Sequence, residues 1–175
     1  MKPLPRRTIL GAFATLPWSA GSAIAAMPPS RELRFENLHT DERLAVQYSA
    51  AGQYLEDALA EINRVLRDFR TGDVGAIDPA LLDLLHGLQQ RTGSRQAFQV
   101  ISGYRSPATN ATLHRRSSGV AEHSLHMQGR AIDIRLAGVR LPDLRDAALS
   151  LQLGGVGFYP ASNFVHVDTG RVRAW

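Results

Sequence analysis

Two short segments in the second half of the chain alternate apolar and polar residues with the period of a β-strand. In Arg130–Leu136 every second side chain is aliphatic, which leaves Asp133 on the other face. In Phe164–Asp168 the two valines would face the core, while His166 and Asp168 share the opposite face. A lone buried carboxylate is costly, so Asp133 needs a partner. If the two strands are neighbours in a sheet, Asp133 and His166 converge.

A third polar residue, His126, lies in the loop before the first of these strands. Gly129 would let the backbone turn tightly between them. His126, Asp133 and His166 together supply the two imidazoles and one carboxylate that a catalytic zinc ion can use, with a fourth position left for water. A His seven residues before an Asp is common, so these residues alone leave two readings open. One is a zinc site; the other is a surface His, a salt-bridged strand Asp and a hydrogen-bonded His near the C-terminus.

A longer motif surrounds these residues. It reads S-x-H-x-x-G-x-A-x-D over Ser124–Asp133, is preceded by S-G-Y-R at Ser102–Arg105, and is followed by the strand residue His166. This pattern resembles the LAS group of zinc peptidases, which includes lysostaphin-like enzymes, D-Ala-D-Ala carboxypeptidases of the VanX type and the hedgehog fold. Four further segments resemble its MepK-like murein endopeptidase branch, whose members are exported by the twin-arginine route: Phe35–Thr40, Leu66–Gly72, Ile77–Leu85 and Gly154–Pro160.

The resemblance implies a role for each residue of the motif. His126, Asp133 and His166 would bind Zn²⁺. Arg105 would lie over the scissile carbonyl and stabilise the oxyanion, an electrostatic role; the alternative is an Arg that pins the turn at Ser106-Pro107. Ser124 would orient the loop or the substrate. We expect the two other histidines of this region, His114 and His123, at the surface.

The identity of the general base is open at this point. Many relatives carry a Glu three residues before the last zinc-binding His, and Asn163 occupies that position here. We predict that Asp168 acts as the general base instead, because it shares a strand face with His166. Asp168 could equally be a partner that holds His166 in place.

The resemblance also implies a substrate class, the stem peptides of peptidoglycan. The function it predicts is that of a murein endopeptidase acting on cross-links next to meso-diaminopimelate. Two alternatives are a D,D- or L,D-carboxypeptidase on stem peptides, and a zinc-bearing peptidoglycan-binding module without turnover.

The first residues have the features of an export signal. Lys2, Arg6 and Arg7 precede the short apolar run Ile9–Pro17, and Ala23-Ile24-Ala25 fits the small-x-small cleavage rule. We predict a twin-arginine-type signal peptide over residues 1–25, with a Sec-type signal as the alternative, and one peptidase domain over residues 26–175 in the periplasm. The run is shorter than the roughly 20 residues of a membrane span, and we expect no transmembrane segment in the mature chain.

Charge and cysteine content restrict the possible binding partners and metal ligands. The whole chain has a formal net charge of +4, and three of its positive charges lie in the predicted signal peptide. This balance does not support nucleic-acid binding, which usually needs a basic face. The chain has no cysteine, so a zinc site would have to use His and carboxylate ligands. We expect a monomer.

The periodicity predicts an α+β domain with a small central antiparallel sheet that carries the zinc site and is flanked by helices, as in the LAS and hedgehog folds. The strands would be a hairpin over Arg31–Tyr48, Phe98–Ile101, Gly154–Tyr159 and the two alternating segments. The predicted helices are Tyr54–Arg70, Pro79–Gln90, Pro107–Arg116 and Leu141–Leu151.

Overall fold

The computed structural model describes residues 30–117 and 119–175, so the predicted signal peptide lies outside the described residues. Within them the elements are β1 (Arg31–Asn37), β2 (Arg43–Ala50), β3 (Gln53–Tyr54), α1 (Glu56–Val65), α2 (Pro79–Thr92), β4 (Phe98–Ser102), α3 (Pro107–Arg116), a 3-10 turn (Leu125–Gln128), β5 (Ala131–Leu136), α4 (Leu141–Leu151), β6 (Gly155–Tyr159), β7 (Phe164–Asp168) and β8 (Arg173–Ala174). No helix in this part of the chain is both long and apolar enough to span a membrane.

One sheet contains all eight strands, in the order β3-β2-β1-β4-β5-β7-β6-β8. The prediction of a small antiparallel sheet is wrong, because β1 pairs with β4 and β6 pairs with β8 in parallel. After the β1–β2 hairpin the chain runs through α1 and α2 and returns beside β1 in the same direction. A parallel pair requires a crossover of this kind. Strand β4 thereby joins the N-terminal hairpin to the strands that carry the candidate site.

Helices α1, α2 and α4 pack against one face of the sheet. The aliphatic residues of β5 and β7 are fully buried beneath them, together with Phe35, Phe98 and the leucines of α2. Burying a side chain of this size stabilises the fold by roughly 1.5–3 kcal/mol. The other face of β5, β6 and β7 remains available for the polar side chains that alternate with the core residues.

Helix α1 is shorter than the predicted span Tyr54–Arg70, because the chain leaves the helix after Val65 to form a loop around Asp68. The carboxylate of Asp68 accepts hydrogen bonds from the backbone N–H groups of Arg70 at 3.0 Å and Ser106 at 2.9 Å. The carbonyl of Leu66 accepts one from the N–H of Tyr104 at 2.7 Å. These bonds connect the end of α1 to the segment that follows β4.

The predicted starts of α2 and α3 are confirmed. Asp78 caps α2 by accepting a hydrogen bond from the N–H of Ala80, and Pro79 occupies the first helical position. Ser106 caps α3 in the same way, through the N–H of Thr109. The sequence thus specifies helix starts correctly where a capping residue directly precedes a proline.

Candidate metal centre

Strands β5 and β7 are antiparallel neighbours, and Asp133 pairs directly with His166 in their register. The carboxylate oxygen Oδ1 of Asp133 lies 2.8 Å from Nδ1 of His166. Residues directly opposite on one sheet face approach closely enough for such contacts. The predicted convergence of these two residues is confirmed.

The 3-10 turn before β5 places His126 beside this pair. Ser124 caps the turn, since its hydroxyl accepts a hydrogen bond from the N–H of His126 at 3.4 Å. Gly129 ends the turn with φ +64°, and a Cβ there would lie 1.9 Å from the carbonyl oxygen of Ala76. A side chain at position 129 would therefore be excluded by both conformation and space.

The side chain of His126 is buried and oriented by the backbone. Its Nδ1 donates to the carbonyl of Gly103 at 2.7 Å, which leaves Nε2 as the free nitrogen. Nε2 lies 3.4 Å from Oδ1 of Asp133 and 3.3 Å from Nδ1 of His166. Two donors bound about 2.0–2.1 Å from a tetrahedral zinc ion would be roughly 3.3 Å apart. The three side chains form a group that could hold a metal ion, and the donor set fits zinc.

The electrostatics of the candidate site centre on His166. Burial acts to lower its pKa, but hydrogen bonds and charge from Asp133 and Asp168 raise that pKa to about 9. Burial opposes ionisation of Asp133 as well, yet the two histidines hold the pKa of its carboxyl below the usual range. The carboxylates of Asp133 and Asp168 therefore favour a positive charge at this position of the site.

Asp168 is fully buried behind His166 and accepts five hydrogen bonds. The donors are Nε2 of His166 at 3.1 Å, the backbone N–H groups of Gly155 at 3.1 Å and Gly170 at 2.8 Å, and the guanidinium of Arg173 at 2.6 and 3.1 Å. Burial acts to raise the pKa of Asp168, but these bonds outweigh it and keep the pKa below its ordinary value. A carboxylate offers about four lone-pair directions, so its acceptor capacity is used within the protein.

Arg105 lies beside Asp133, and its side chain is buried. The two Nη atoms lie 3.4 Å from the side chains of Ser102 and Asn110, and Nη2 lies 3.8 Å from Oδ2 of Asp133. Nε of Arg105 has no hydrogen-bond partner among the residues that the structure describes. Burial lowers the pKa of this guanidinium, and Asp133 counteracts the effect.

The three candidate ligands open onto a cleft of about 560 Å³. Arg105, Ser124 and Asp168 also line it, as does His123, which is exposed as predicted. His114 is exposed too; it does not line the cleft itself, but its Nδ1 lies 2.6 Å from the carbonyl oxygen of Val120, which does. A group of candidate metal ligands that opens onto a cleft is the arrangement expected of a hydrolytic centre.

Comparison with known proteins agrees with this geometry. A model of the family described as peptidoglycan L,D-endopeptidase MepK matches residues 25–175. The chain belongs to this family. The peptidoglycan L,D-endopeptidase MepK of Escherichia coli K12 is 45% identical over 166 residues, which cover 95% of this chain and 90% of that protein. The probable peptidoglycan L,D-endopeptidase MepK of Haemophilus influenzae is 46% identical over 154 residues, covering 87% of this chain and 83% of that protein.

Membership of the MepK family makes the chain a peptidase and confirms the resemblance seen in its motifs. The position where many zinc peptidases of the wider group carry Glu is occupied by Asn163. This residue is exposed and has φ +54° in the turn between β6 and β7. Asn tolerates that conformation better than most residues, so its role here is that of a turn residue.

Two side chains next to the site, Arg173 and Trp175, were not predicted from the sequence. They leave the sheet at β8 and reach across Gly155 and Gly157 of the neighbouring strand β6. Arg173 binds Asp168, and the ring of Trp175 lies 5.4 Å from that of His166. In the sequence one residue separates Gly155 from Gly157, and one residue separates Arg173 from Trp175. This matching spacing is the signal that could have revealed the contact.

Proposed function

We propose that this protein is a zinc-dependent peptidoglycan endopeptidase that hydrolyses stem-peptide cross-links next to meso-diaminopimelate in cell-wall remodelling. The observation that carries the proposal is the convergence of His126, Asp133 and His166 at the floor of an open cleft. The relatives named as peptidoglycan L,D-endopeptidases supply the substrate class.

His126, Asp133 and His166 would hold the ion through Nε2, Oδ1 and Nδ1. When bound, zinc supplies Lewis-acid activation of water and of the scissile carbonyl. The protein fixes the orientation of each ligand from behind: Gly103 accepts from the far nitrogen of His126, and Asp168 accepts from that of His166. Such outer contacts set the tautomer of a ligating imidazole and increase its basicity.

Arg105 supports the second part of the mechanism, stabilisation of the negative charge that develops on the carbonyl oxygen. Its guanidinium is buried at the cleft wall, where a hydrogen bond is worth more than in water. Both of its Nη groups make only long contacts, of 3.4 Å, with protein side chains, so they can also donate to a carbonyl oxygen in the cleft that Arg105 lines. A donor fixed before the reaction begins stabilises the transition state without reorganisation.

Of the two roles considered for Asp168, the hydrogen bonds support that of a partner that positions His166. The proton acceptor must then be another cleft side chain. Among the described lining residues outside the ligand set, His123 is the one imidazole, and imidazole is the commonest general base. We therefore assign proton transfer to His123.

We further propose that residues 1–25 direct export through the twin-arginine route and that residues 26–175 act as a monomer in the periplasm. The pair Arg6-Arg7 before a weakly apolar run supports this route. A peptidoglycan substrate requires the active protein to be outside the cytoplasm.

Digestion of purified cross-linked muropeptides, followed by mass spectrometry of the products, tests the function. An endopeptidase separates the two stem peptides; a carboxypeptidase releases only a terminal amino acid, and a binding module releases nothing. Metal content is measured on the same samples, with His166→Ala and chelator-treated protein as controls. Cleavage by the chelated protein at the full rate would exclude a metal-dependent mechanism.

A further inference from the structure

The indole of Trp175 covers a position in the sheet that has no side chain of its own. Gly157 on β6 pairs directly with His166 on β7, so a side chain at Gly157 would stand next to the metal ligand. A Cβ built there would lie 2.8 Å from both Trp175 and Tyr159. The absence of a side chain at Gly157 is what lets these two aromatic rings lie against the sheet beside the metal centre.

The two rings are fixed in place. Nε1 of Trp175 donates to the hydroxyl of Tyr159 at 2.7 Å, and the backbone of Trp175 is hydrogen-bonded to Val156 and Phe158. The ring of Tyr159 stacks on Phe164 with centroids 4.6 Å apart. The guanidinium of Arg173 lies 4.7 Å from the centre of the indole. Little conformational entropy is left to lose when a ligand binds there.

Trp175 is nevertheless half exposed, with 50% of its surface accessible, and it lines the cleft. A large aromatic surface that is both rigid and open to a cleft is typical of ligand sites, because burying it upon binding is favourable. The neighbouring metal ligand His166 limits which part of a substrate can reach it. The ring centroids of Trp175 and His166 are 5.4 Å apart, and consecutive Cα atoms in a peptide are about 3.8 Å apart. A substrate residue close to a carbonyl held at His166 is therefore within reach of the indole.

We infer that Trp175 and Tyr159 form a shelf that binds the aliphatic side chain of the diamino acid next to the scissile bond. This inference rests on the proposed function and extends it to substrate selection. The methylene groups of a diaminopimelate side chain can lie along the indole, whereas the methyl group of an alanine covers little of it. The shelf therefore favours hydrolysis next to the diamino acid over hydrolysis next to alanine.

Tryptophan fluorescence offers a direct binding test. The chain has two tryptophans, Trp18 and Trp175. In the full chain carrying Trp18→Phe, all indole emission comes from the shelf. Titration with a stem tripeptide ending in meso-diaminopimelate should shift this emission. The same tripeptide ending in alanine should need a concentration about tenfold higher, in line with discrimination by a few methylene groups. Equal responses to the two peptides, or no response to either, would overturn the inference.

Kinetics on cross-linked muropeptides test the shelf independently. Trp175→Ala should raise KM about tenfold and leave kcat and zinc content unchanged, because the shelf binds substrate without contacting the reacting atoms. Trp175→Phe should keep part of the affinity. Gly157→Ala leaves the indole in the protein but displaces it, and should raise KM as Trp175→Ala does. Leu153→Ala removes a similarly exposed side chain (55%) outside the cleft and serves as the control that keeps the wild-type KM.

The two hypotheses fail in different ways. If the wild-type protein releases no product from muropeptides, the proposed function fails, while the fluorescence titration still decides the shelf. If the wild type cleaves but Trp175→Ala and Gly157→Ala, shown to be folded by circular dichroism, keep its KM and its preference for the diamino acid, the shelf inference is wrong and the function stands.

Discussion

A carboxylate can accept a proton during catalysis only if one of its oxygens has a lone pair directed at the reacting water. At Asp168 these directions are occupied by His166, Arg173 and two backbone N–H groups. We therefore propose that Asp168, which shares a strand face with the candidate ligand His166, holds that ligand in place. At the scale of single residues, sequence position indicated proximity correctly, but the role depended on how many donors surround the group.

Substituting Asp168 by Asn tests this role. The amide keeps the shape but loses the charge, so His166 loses its acceptor of full negative charge. We expect zinc affinity to fall by roughly 10–100-fold and added zinc to restore most of the rate. Zinc titration and muropeptide cleavage are measured on the same preparation. Asp143→Asn, which changes an exposed carboxylate paired with Arg140, is the matched control. A rate loss that excess zinc does not repair would return Asp168 to the role of base.

His123→Gln tests the assignment of proton transfer. Glutamine cannot take up a proton, so turnover should fall by roughly 10²–10⁴-fold while zinc content stays unchanged. His86→Gln changes a histidine on α2 that does not line the cleft, and it should behave as the wild type. An unchanged kcat for His123→Gln would show that the proton goes to another acceptor.

At the scale of elements, the local sequence patterns predicted helices and strands better than they predicted which strands pair. The alternation in β5 and β7 was long enough to assign faces, and the caps at Asp78 and Ser106 were enough to start two helices. Strand β8 has two residues, too few to show a period, so its contribution to the site could not be predicted. The parallel pairing of β1 with β4 joins segments about sixty residues apart, and no local pattern specifies such a contact.

The loop that follows α1 is a second element that the sequence patterns did not reveal. Asp68 is 1% exposed, and its carboxylate joins this loop to Ser106, directly after Arg105. Tyr104, on the other side of Arg105, donates its N–H to the carbonyl of Leu66. The position of Arg105 in the cleft wall therefore depends on the end of a helix some forty residues earlier in the chain.

Asp68→Asn should destabilise the fold by roughly 1–3 kcal/mol, because an amide N–H₂ would oppose one of the donors that the carboxylate now accepts. The effect should depend on pH. Burial acts to raise the pKa of Asp68, but hydrogen bonds from Thr109 and Ser106 lower it to about 2. A lowered pKa means that the charged carboxylate stabilises the fold above the unfolded value of about 3.9.

That contribution is lost as the pH falls through the folded pKa of about 2. Thermal melts of wild type and Asp68→Asn, at pH 6 and at pH 2 and both with chelator, measure the difference in stability between the two proteins. Because the candidate metal site is the same in both, its titration does not contribute to this difference. We expect the difference to shrink at pH 2. A difference that is the same at both pH values would contradict a stabilising charge at Asp68.

At the scale of the whole molecule, one sheet joins the N-terminal hairpin to the candidate metal centre, and the predicted α+β class is correct although the sheet is larger and mixed. A site assembled from residues as distant as Arg105 and Arg173 exists only when the sheet is complete. The proposed twin-arginine route, which carries folded cargo, would suit such a protein.

Replacing Arg6 and Arg7 together by lysine tests that route. The exchange keeps the positive charge and removes only the guanidinium pair, so a Sec-type signal should still work. We expect the precursor to accumulate unprocessed in the cytoplasm, as measured by immunoblot of fractionated cells. Normal appearance of the processed chain in the periplasm would instead support the Sec route.

The two outer positions of the sheet are occupied by its shortest strands, β3 and β8, with two residues each. An edge strand this short offers few free backbone groups to a second chain, so the large sheet is protected from edge-to-edge aggregation. Strand β8 also delivers Arg173 and Trp175 to the cleft. A chain cut before Arg173 would therefore both lose contacts around His166 and expose the five-residue edge of β6. Damage to the catalytic centre and a tendency to self-associate should arise together, from the loss of the same few residues.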